Sequence, residues 1–194
     1  MNQPRRLLVA TDIFGATTAL QQALAALQAD NRKLEIEICQ PDSCQSVPVF
    51  ADDQLAYQAF VQQGGLERYQ LQVKARLQEH SADLLLGFSA GAAALWCVLN
   101  TVTAGAGKAL LCYGGQIRQY AELAPQWPVT CLWSDEPHFD VRALQLRLQQ
   151  HPQLQQQHWT WPHGFINPHS KGYQPDASAE FWQRCQQWLT AENF

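Results

Sequence analysis

Apolar residues recur along the chain in two patterns, one typical of β-strands and one typical of α-helices, and the order of these patterns predicts the fold. Short apolar or alternating runs predict six strands, and longer stretches with helical spacing and strong helix formers predict helices between them. The predicted strands are residues 7–10, 34–39, 83–88, 109–113, 129–133 and 158–161. The predicted helices are residues 17–28, 52–80 with a break at Gly64-Gly65, 90–99, 142–150 and 177–189.

Strands that alternate with helices favour a mainly parallel sheet with helices on both faces. We therefore predict one α/β domain over residues 1–194, a three-layer α/β/α arrangement around a sheet of about six strands. Ligands of such sheets bind beyond the carboxyl ends of the strands, so we expect the chemistry there. Residues 41–48 are predicted as loop, and the glutamine-rich stretches at 62–63 and 155–157 as solvated helix and loop surface.

Composition and charge exclude several classes of function. The formal net charge of −4 and the pI near 5.8 offer no basic surface to a phosphate backbone, so we expect no nucleic-acid partner. No apolar run approaches the roughly 20 residues that cross a bilayer, and the apolar stretch after Arg6 is too short for a signal peptide. We therefore expect no membrane association and a cytoplasmic location.

The six cysteines show neither a C-x-x-C pair nor the spacing of a zinc site, so we expect no metal. Cys112 and Cys131 fall within predicted strands, where cysteine behaves as a small buried hydrophobic residue. These observations predict unreactive thiols without a redox or metal role.

The candidate chemistry begins at Gly87-Phe88-Ser89-Ala90-Gly91, which matches the G-x-S-x-G pattern of a strand-to-helix turn. In such a turn the serine takes a strained conformation that exposes its hydroxyl, and the two glycines leave room for neighbouring elements. The N–H of Ala90 points at the developing oxyanion, where the helix dipole adds positive potential. An ordinary glycine-rich turn is the alternative, but the buried strand before it and the small-residue helix after it favour a nucleophile at Ser89.

A serine nucleophile needs a base, and the expected chain order after this kind of turn is serine, acid, histidine. His163 lies in a loop directly after the last predicted strand, whereas the other five histidines lie in less suitable contexts. The acid is expected after the fifth strand, where Asp135 and Glu136 are adjacent and Asp140 is more distant. Whichever carboxylate contacts His163 would fix its tautomer and stabilise its positive form, and the spacing leaves Asp135 and Glu136 open as alternatives.

Further motifs at the predicted strand ends extend this pattern over nearly the whole chain. They are Asp12-Ile13-Phe14-Gly15, Pro41-Asp42, Tyr113-Gly114-Gly115, Asp135-Glu136-Pro137-His138-Phe139, and His163-Gly164-Phe165 with Asn167-Pro168, Tyr173 and Phe181-Trp182. With these motifs the chain resembles the dienelactone hydrolase family of α/β-hydrolases. The resemblance implies an α/β-hydrolase fold that is shortened at the N-terminus. A large lid is not expected, because only residues 114–128 connect the fourth and fifth strands.

The resemblance also implies roles for the matched positions. The N–H of Ile13 would join that of Ala90 in the oxyanion hole. Glu136 would be the acid, because it aligns with the family's aspartate before proline. Asp12 matches an acidic residue that lies near the nucleophile in the family, and a turn or helix-capping role is an equal alternative.

Two departures from the family alter the expected chemistry. Ser89 stands where the best-known members have cysteine, so we expect ordinary serine-esterase chemistry. Asn167 replaces the family arginine four residues after the histidine, which argues against recognition of a carboxylated dienelactone. Four aromatic residues at strand ends could form apolar walls of a substrate pocket beside Asp12, although core packing is an equal alternative for each. These aromatic residues are Phe14, Tyr113, Trp133 and Phe165.

Together these residues predict a serine hydrolase that acts on carboxylic esters or lactones of small molecules through an acyl-enzyme intermediate. Two other functions stay open. The G-x-S-A-G-A turn also resembles serine peptidases of the aspartyl dipeptidase type, which have a different α/β fold. A non-catalytic binding or interaction protein on the α/β-hydrolase fold is the alternative from another class. A monomer and a homodimer are both compatible with the sequence.

Overall fold

The computed structural model describes residues 4–44, 50, 52–102 and 107–190, and these form a six-stranded sheet with flanking helices. The strands are β1 (Arg5–Ala10), β2 (Leu34–Cys39), β3 (Leu84–Phe88), β4 (Lys108–Cys112), β5 (Val129–Asp135) and β6 (Leu154–Pro162). The helices are α1 (Thr18–Asp30), α2 (Asp53–Gln62), α3 (Gly65–Glu79), α4 (Ala90–Leu99), α5 (Val141–Leu148) and α6 (Pro175–Thr190). Short 3-10 helices span Asp42–Cys44 and Gly115–Gln119. Part of the loop predicted at 41–48, from residue 45 onwards, lies outside the described residues.

The strands lie in the order β2-β1-β3-β4-β5-β6, and each neighbouring pair is parallel. The chain order therefore reverses between β1 and β3, because β2 lies on one side of β1 and all later strands lie on the other. Such a reversal leaves a crevice at the carboxyl ends of the two strands, where ligands of open α/β sheets bind. Asp12 and Ser89 follow β1 and β3 at this crevice.

The central strands are apolar on both faces because helices cover both faces of the sheet. Within β1, Leu8 and Ala10 join a core cluster with α3 and α4, whereas Leu7 and Val9 join a second cluster with α1 and α6. In β3, Leu85 joins the first cluster and its two leucine neighbours join the second. The predicted three-layer α/β/α arrangement is thus confirmed, with one core on each face of the sheet.

The helices follow their predicted positions to within a few residues. The stretch at 52–80 forms two helices, and the break falls at Gly64, where φ is +95°. No helix in the described ranges is both long enough and apolar enough to span a membrane.

The last strand is longer than predicted. It begins at Leu154 and not at His158, so residues 155–157 belong to the sheet, and the prediction of solvated helix and loop surface there is wrong. These three glutamines pair with residues 130–132 of β5. As an edge strand, β6 has one unpaired side, so polar side chains stay near solvent while the backbone of the strand is paired. Their polar composition therefore concealed a strand.

Candidate active site

Ser89 lies in the turn between β3 and α4 with φ 48° and ψ −110°, a conformation that residues other than glycine rarely adopt. Two backbone hydrogen bonds hold it there. The Ser89 N–H donates to the Cys112 carbonyl at 2.9 Å, and the Ser89 carbonyl accepts from the Ala93 N–H at 3.1 Å. The strained turn leaves the Ser89 side chain on the wall of a cleft above the carboxyl ends of the strands.

The two glycines of the motif allow α4 to approach the sheet closely. A Cβ atom at Gly87 would lie 2.7 Å from Cα of Ala92, and one at Gly91 would lie 2.2 Å from the Ala10 carbonyl oxygen. Neither distance is compatible with a side chain. Gly87 therefore packs β3 against α4, and Gly91 packs the first turn of α4 against the end of β1.

A chain of hydrogen bonds runs from Ser89 through His163 to Glu136. The Ser89 Oγ lies 2.9 Å from His163 Nε2, and His163 Nδ1 lies 2.6 Å from Glu136 Oε1. With its proton on Nδ1, the imidazole donates to the carboxylate and accepts from the serine hydroxyl. The Ser134 hydroxyl also donates to Glu136 Oε1, at 2.9 Å.

The adjacent carboxylate, Asp135, contacts a different histidine. Its Oδ1 lies 2.8 Å from His158 Nε2, and its side chain is 56% exposed, whereas the Glu136 side chain is 8% exposed. Successive side chains at a strand end point in opposite directions, so only one of the two carboxylates can face His163. Of the two alternatives that the sequence left open, Glu136 is the one that lies beside His163.

The loop that carries His163 is closely packed. The Tyr113 ring meets the imidazole edge-on, with 5.1 Å between the ring centroids. A Cβ atom at Gly164, where φ is +78°, would lie 2.2 Å from Ser170 Oγ, and one at Gly172 would lie 2.0 Å from the His163 carbonyl oxygen. This packing fixes the direction of the imidazole towards Ser89.

Asp12 is a buried carboxylate beside these groups, with 7% of its surface exposed. Its Oδ1 accepts from the Phe14 N–H at 2.9 Å, and its Oδ2 accepts from Asn167 Nδ2 at 2.7 Å. Burial raises the pKa of Asp12 above its ordinary value of 3.8. The bonds from Asn167 and Phe14 and the proximity of His163 act in the opposite direction. The turn role predicted as one alternative for Asp12 is therefore present in the bond to Phe14.

The candidate oxyanion-hole residues Ala90 and Ile13 both line the cleft with Ser89. Ala90 begins α4, and N–H groups in the first turn of a helix have no acceptor within that helix. The Ile13 carbonyl accepts from the Cys44 thiol at 3.3 Å, which fixes one side of the peptide chain there. Ala90 and Ile13 therefore lie on the wall of the same cleft as Ser89, and their role in an oxyanion hole stays a prediction.

The cleft has a volume of about 650 Å³. Three of the predicted pocket residues line it, namely Asp12, Phe14 and Tyr113. The connection between β4 and β5 forms one 3-10 helix and turns, so this segment inserts no cap over the cleft. The predicted absence of a large lid agrees with this connection.

The pocket role predicted for Trp133 and Phe165 is wrong, because both side chains are buried in the core and neither is among the described residues that line the cleft. Trp133 lies within β5 before its carboxyl end, and its indole N–H donates to Gln156 Oε1 at 3.0 Å. Phe165 packs beneath Tyr113, with 5.7 Å between the ring centroids. The alternative of core packing holds for both residues.

Several lining residues were not identified from the sequence. Asp53 and Tyr57 reach the cleft from α2, and Arg118 reaches it from the 3-10 helix after β4. Nothing in the sequence indicates that α2 borders the cleft, because its position depends on tertiary packing. Ser134 was also missed, although a serine in a buried strand just before the candidate acid is a usable signal.

Neither a metal site nor a reactive thiol stands out in the described part of the chain. No group of three or more histidine, cysteine, aspartate or glutamate side chains there could hold a metal ion. All six cysteines are buried, and no disulfide bond joins any two of them. Burial raises the pKa of Cys39 to about 11 and that of Cys97 to about 12, so both remain protonated thiols at neutral pH.

Solved structures with this fold cover nearly the whole chain. A candidate dienelactone hydrolase from Klebsiella pneumoniae subsp. pneumoniae is 14% identical with a TM-score of 0.68, covering 97% of this chain and 87% of its own. The dienelactone hydrolase-like promiscuous phosphotriesterase P91 from metagenomic libraries is 17% identical with a TM-score of 0.65, covering 98% and 87%. Esterase PE8 is 12% identical with a TM-score of 0.63, covering 97% and 92%.

These likenesses establish that the chain has the α/β-hydrolase fold, as predicted. No protein-family model and no curated protein sequence matches the chain.

Replacing Gly91 by alanine should destabilise the protein strongly, because the new Cβ would lie 2.2 Å and 2.4 Å from two backbone carbonyl oxygens. A backbone clash is not relieved by a change of rotamer, so the loss should reach or exceed the upper end of the ~1–3 kcal/mol typical of overpacking. Urea unfolding measures it. Gly65→Ala is the matched control, since its Cβ would meet no atom within 4 Å and only backbone strain of about 1–2 kcal/mol is expected at φ +56°. Equal losses would show that the close approach is not a constraint.

The raised pKa of Asp12 predicts a pH dependence of stability. Because folding favours its protonated form, this contribution to the unfolding free energy is present below pH 3.8 and is lost as the pH rises through the raised pKa. The charged or titratable groups near Asp12 are Asp53, His163, Tyr69 and Tyr113. In Asp12→Asn this loss is absent, so the stability of the variant relative to wild type should increase with pH in urea unfolding.

The exposed Gln62→Asn, which changes no titratable group, serves as the control for that series, and its stability relative to wild type should stay constant over the same pH range. A constant difference for Asp12→Asn as well would contradict the raised pKa.

Proposed function

We propose that the protein is a serine hydrolase of the dienelactone hydrolase type, which cleaves carboxylic esters or lactones of small molecules. The observation that carries this proposal is the hydrogen-bonded series Ser89, His163 and Glu136, which begins at a strained strand-to-helix turn. The likeness of the fold to esterases and to dienelactone hydrolase-like proteins supports the same conclusion.

In the first step, Ser89 Oγ attacks the carbonyl carbon of the ester and His163 Nε2 takes the hydroxyl proton. Glu136 stabilises the imidazolium that forms and holds its tautomer. The carbonyl oxygen becomes an oxyanion, which accepts hydrogen bonds from the N–H groups of Ala90 and Ile13. His163 then gives its proton to the leaving alcohol, and an acyl-enzyme ester on Ser89 remains.

In the second step, a water molecule attacks the acyl-enzyme while His163 takes one of its protons. The same two N–H groups hold the second oxyanion. Collapse of this intermediate releases the carboxylic acid, and the proton returns from His163 to Ser89. Every proton moves between the substrate, water and these two side chains, so the sequence of steps uses neither a metal nor an organic cofactor.

Glu136 is the proposed acid because its contact with His163 is short and its carboxylate is buried. A carboxylate in little contact with water orients an imidazole more strongly than an exposed one, because the local dielectric constant is lower. Asp135 is exposed and paired with His158, which supports a surface role.

The open cleft supports a small or exposed ester as substrate. Phe14 and Tyr57 provide aromatic surface on the cleft wall, while the buried Tyr113 packs against His163. No inserted cap restricts access from the β4–β5 connection. The aspartyl dipeptidase alternative requires a different α/β fold and gains no support from the sheet order. The single domain over residues 1–194, the cytoplasmic location and the absence of nucleic-acid or membrane partners stay predictions from the sequence.

A fluorophosphonate probe tests the nucleophile. The purified protein should form one adduct on Ser89, located by mass spectrometry, because the probe reacts with serines that a neighbouring base activates. His163→Ala should lose the adduct. His158→Ala is the matched control and should keep it, because His158 contacts Asp135 and not Ser89.

An unlabelled Ser89 in folded wild-type protein would overturn the enzymatic proposal and favour a non-catalytic binding protein. Turnover of an aspartyl dipeptide without turnover of p-nitrophenyl acetate would favour the peptidase alternative.

Two matched amide substitutions test the acid. Glu136→Gln should lower kcat for p-nitrophenyl acetate by about 10³-fold or more, because the amide cannot stabilise the imidazolium. Asp135→Asn should change kcat by less than about threefold, since the Asp135 carboxylate is exposed and contacts His158 and not His163. Steady-state kinetics with both variants at equal folded concentration provide the comparison. Equal and mild losses would show that neither residue is the acid.

A further inference from the structure

One buried hydrogen bond joins the loop after β1 to the loop after β6. Asn167 Nδ2 donates to Asp12 Oδ2 at 2.7 Å across 155 positions of sequence. Both side chains are buried, with 7% of Asp12 and 9% of Asn167 exposed. The first loop carries Ile13 and the second carries His163, so the bond links two parts of the site that the chain brings in from opposite ends.

On the Asp12 side, further bonds fix the peptide of Ile13. Asp12 Oδ1 accepts from the Phe14 N–H at 2.9 Å, and the Asp12 carbonyl accepts from the Gly15 N–H at 3.2 Å. The Thr11 hydroxyl donates to the same carbonyl at 3.0 Å. The Ile13 peptide is thereby enclosed in a short turn whose geometry depends on the position of the Asp12 side chain.

On the Asn167 side, the amide has only one suitable orientation. Its Oδ1 accepts from the His169 N–H at 3.0 Å, so its Nδ2 must face Asp12. The Asn167 N–H donates to the Gly164 carbonyl at 2.9 Å, and Gly164 follows His163 directly. Asn167 is therefore bonded through both its backbone and its side chain to the loop that directs the imidazole.

We propose that Asp12 and Asn167 are positioning residues, which together hold the Ile13 N–H in register with His163 and Ser89. This inference rests on the proposed hydrolase function. Neither residue transfers a proton in the proposed reaction. The pair instead maintains the distance between the oxyanion donor, the Ile13 N–H, and the nucleophile. A misplacement of about 1 Å in such a donor can reduce turnover by about 100-fold.

The pair can be exchanged without loss of any of its three bonds. In the double variant Asp12→Asn/Asn167→Asp, the new amide at 12 accepts from the Phe14 N–H and donates to the new carboxylate at 167. That carboxylate also accepts from the His169 N–H. In Asp12→Asn alone, two NH₂ groups face each other, so the link is broken. In Asn167→Asp alone, two carboxyl groups face each other; they repel when both are ionised but keep one bond when they share a proton, so the variants are compared at alkaline pH. The double variant restores the link without a shared proton.

Kinetics of p-nitrophenyl acetate hydrolysis with the wild type, both single variants and the double variant test the proposal. Each single variant should lose about tenfold to 100-fold in kcat, with KM within about threefold, because an oxyanion donor acts mainly on the transition state. The double variant should return to within about threefold of wild type. Urea unfolding of each variant gives the folded fraction, to which kcat is referred. Glu180→Gln, in an exposed pair with Arg184, is the control and should leave kcat unchanged.

The outcomes separate the two levels of inference. A wild-type protein that neither turns over the ester nor reacts with the fluorophosphonate probe overturns the hydrolase function. An active wild type with folded single variants of unchanged kcat overturns the positioning role alone. A double variant that regains stability but not kcat also overturns it, because this result would mean that a carboxylate is needed at position 12 itself.

Discussion

The close approach of α4 to the ends of β1 and β3 is the constraint on which the rest of the site depends. A Cβ atom at 91, in the first turn of this wholly buried helix, would lie 2.2 Å and 2.4 Å from the Ala10 and Thr11 carbonyl oxygens, so only glycine fits there. Ser89, directly before the helix, has a positive φ of 48°. Strain of this kind costs of order 1–3 kcal/mol and persists only where the surrounding packing enforces it. Here the packing is the two-sided core of the sheet.

The same crevice collects residues from distant parts of the chain because parallel strands end on one side of a sheet. The loop after β1 contributes Ile13, the loop after β5 contributes Glu136 and the loop after β6 contributes His163, while Ser89 lies between them. The loops after β1 and β5 follow largely buried strands, and the loop after β6 follows the edge strand. Strand spacing therefore sets the coarse distances between these groups, and the packing of each loop sets the rest.

The order of elements and the serine turn could be predicted from sequence, because buried strands and glycine spacing leave direct traces in composition. The full length of edge strand β6 could not be predicted, since the polarity of its glutamines is typical of a solvated loop or helix. Only their pairing with β5, a tertiary contact, places them in a strand. Glu136 could not be separated from its neighbour without the direction of each side chain at the strand end. The role of Trp133 could not be predicted for a related reason. An aromatic residue near a strand end packs into the core or faces the cleft according to the register of its strand, which the sequence alone does not determine.

The buried Asp12 lowers the stability of the fold but fixes the position of the loop that carries Ile13. An asparagine partner donates one hydrogen bond but brings no positive charge, so the desolvation of the carboxylate is only partly compensated and its pKa is raised. A cation at 167 would compensate the charge better, but a long, flexible side chain would define the distance between the two loops less sharply than a short amide held at both ends. A buried carboxylate that lowers stability and has both oxygens hydrogen-bonded is most simply explained by the position that it imposes on its neighbours.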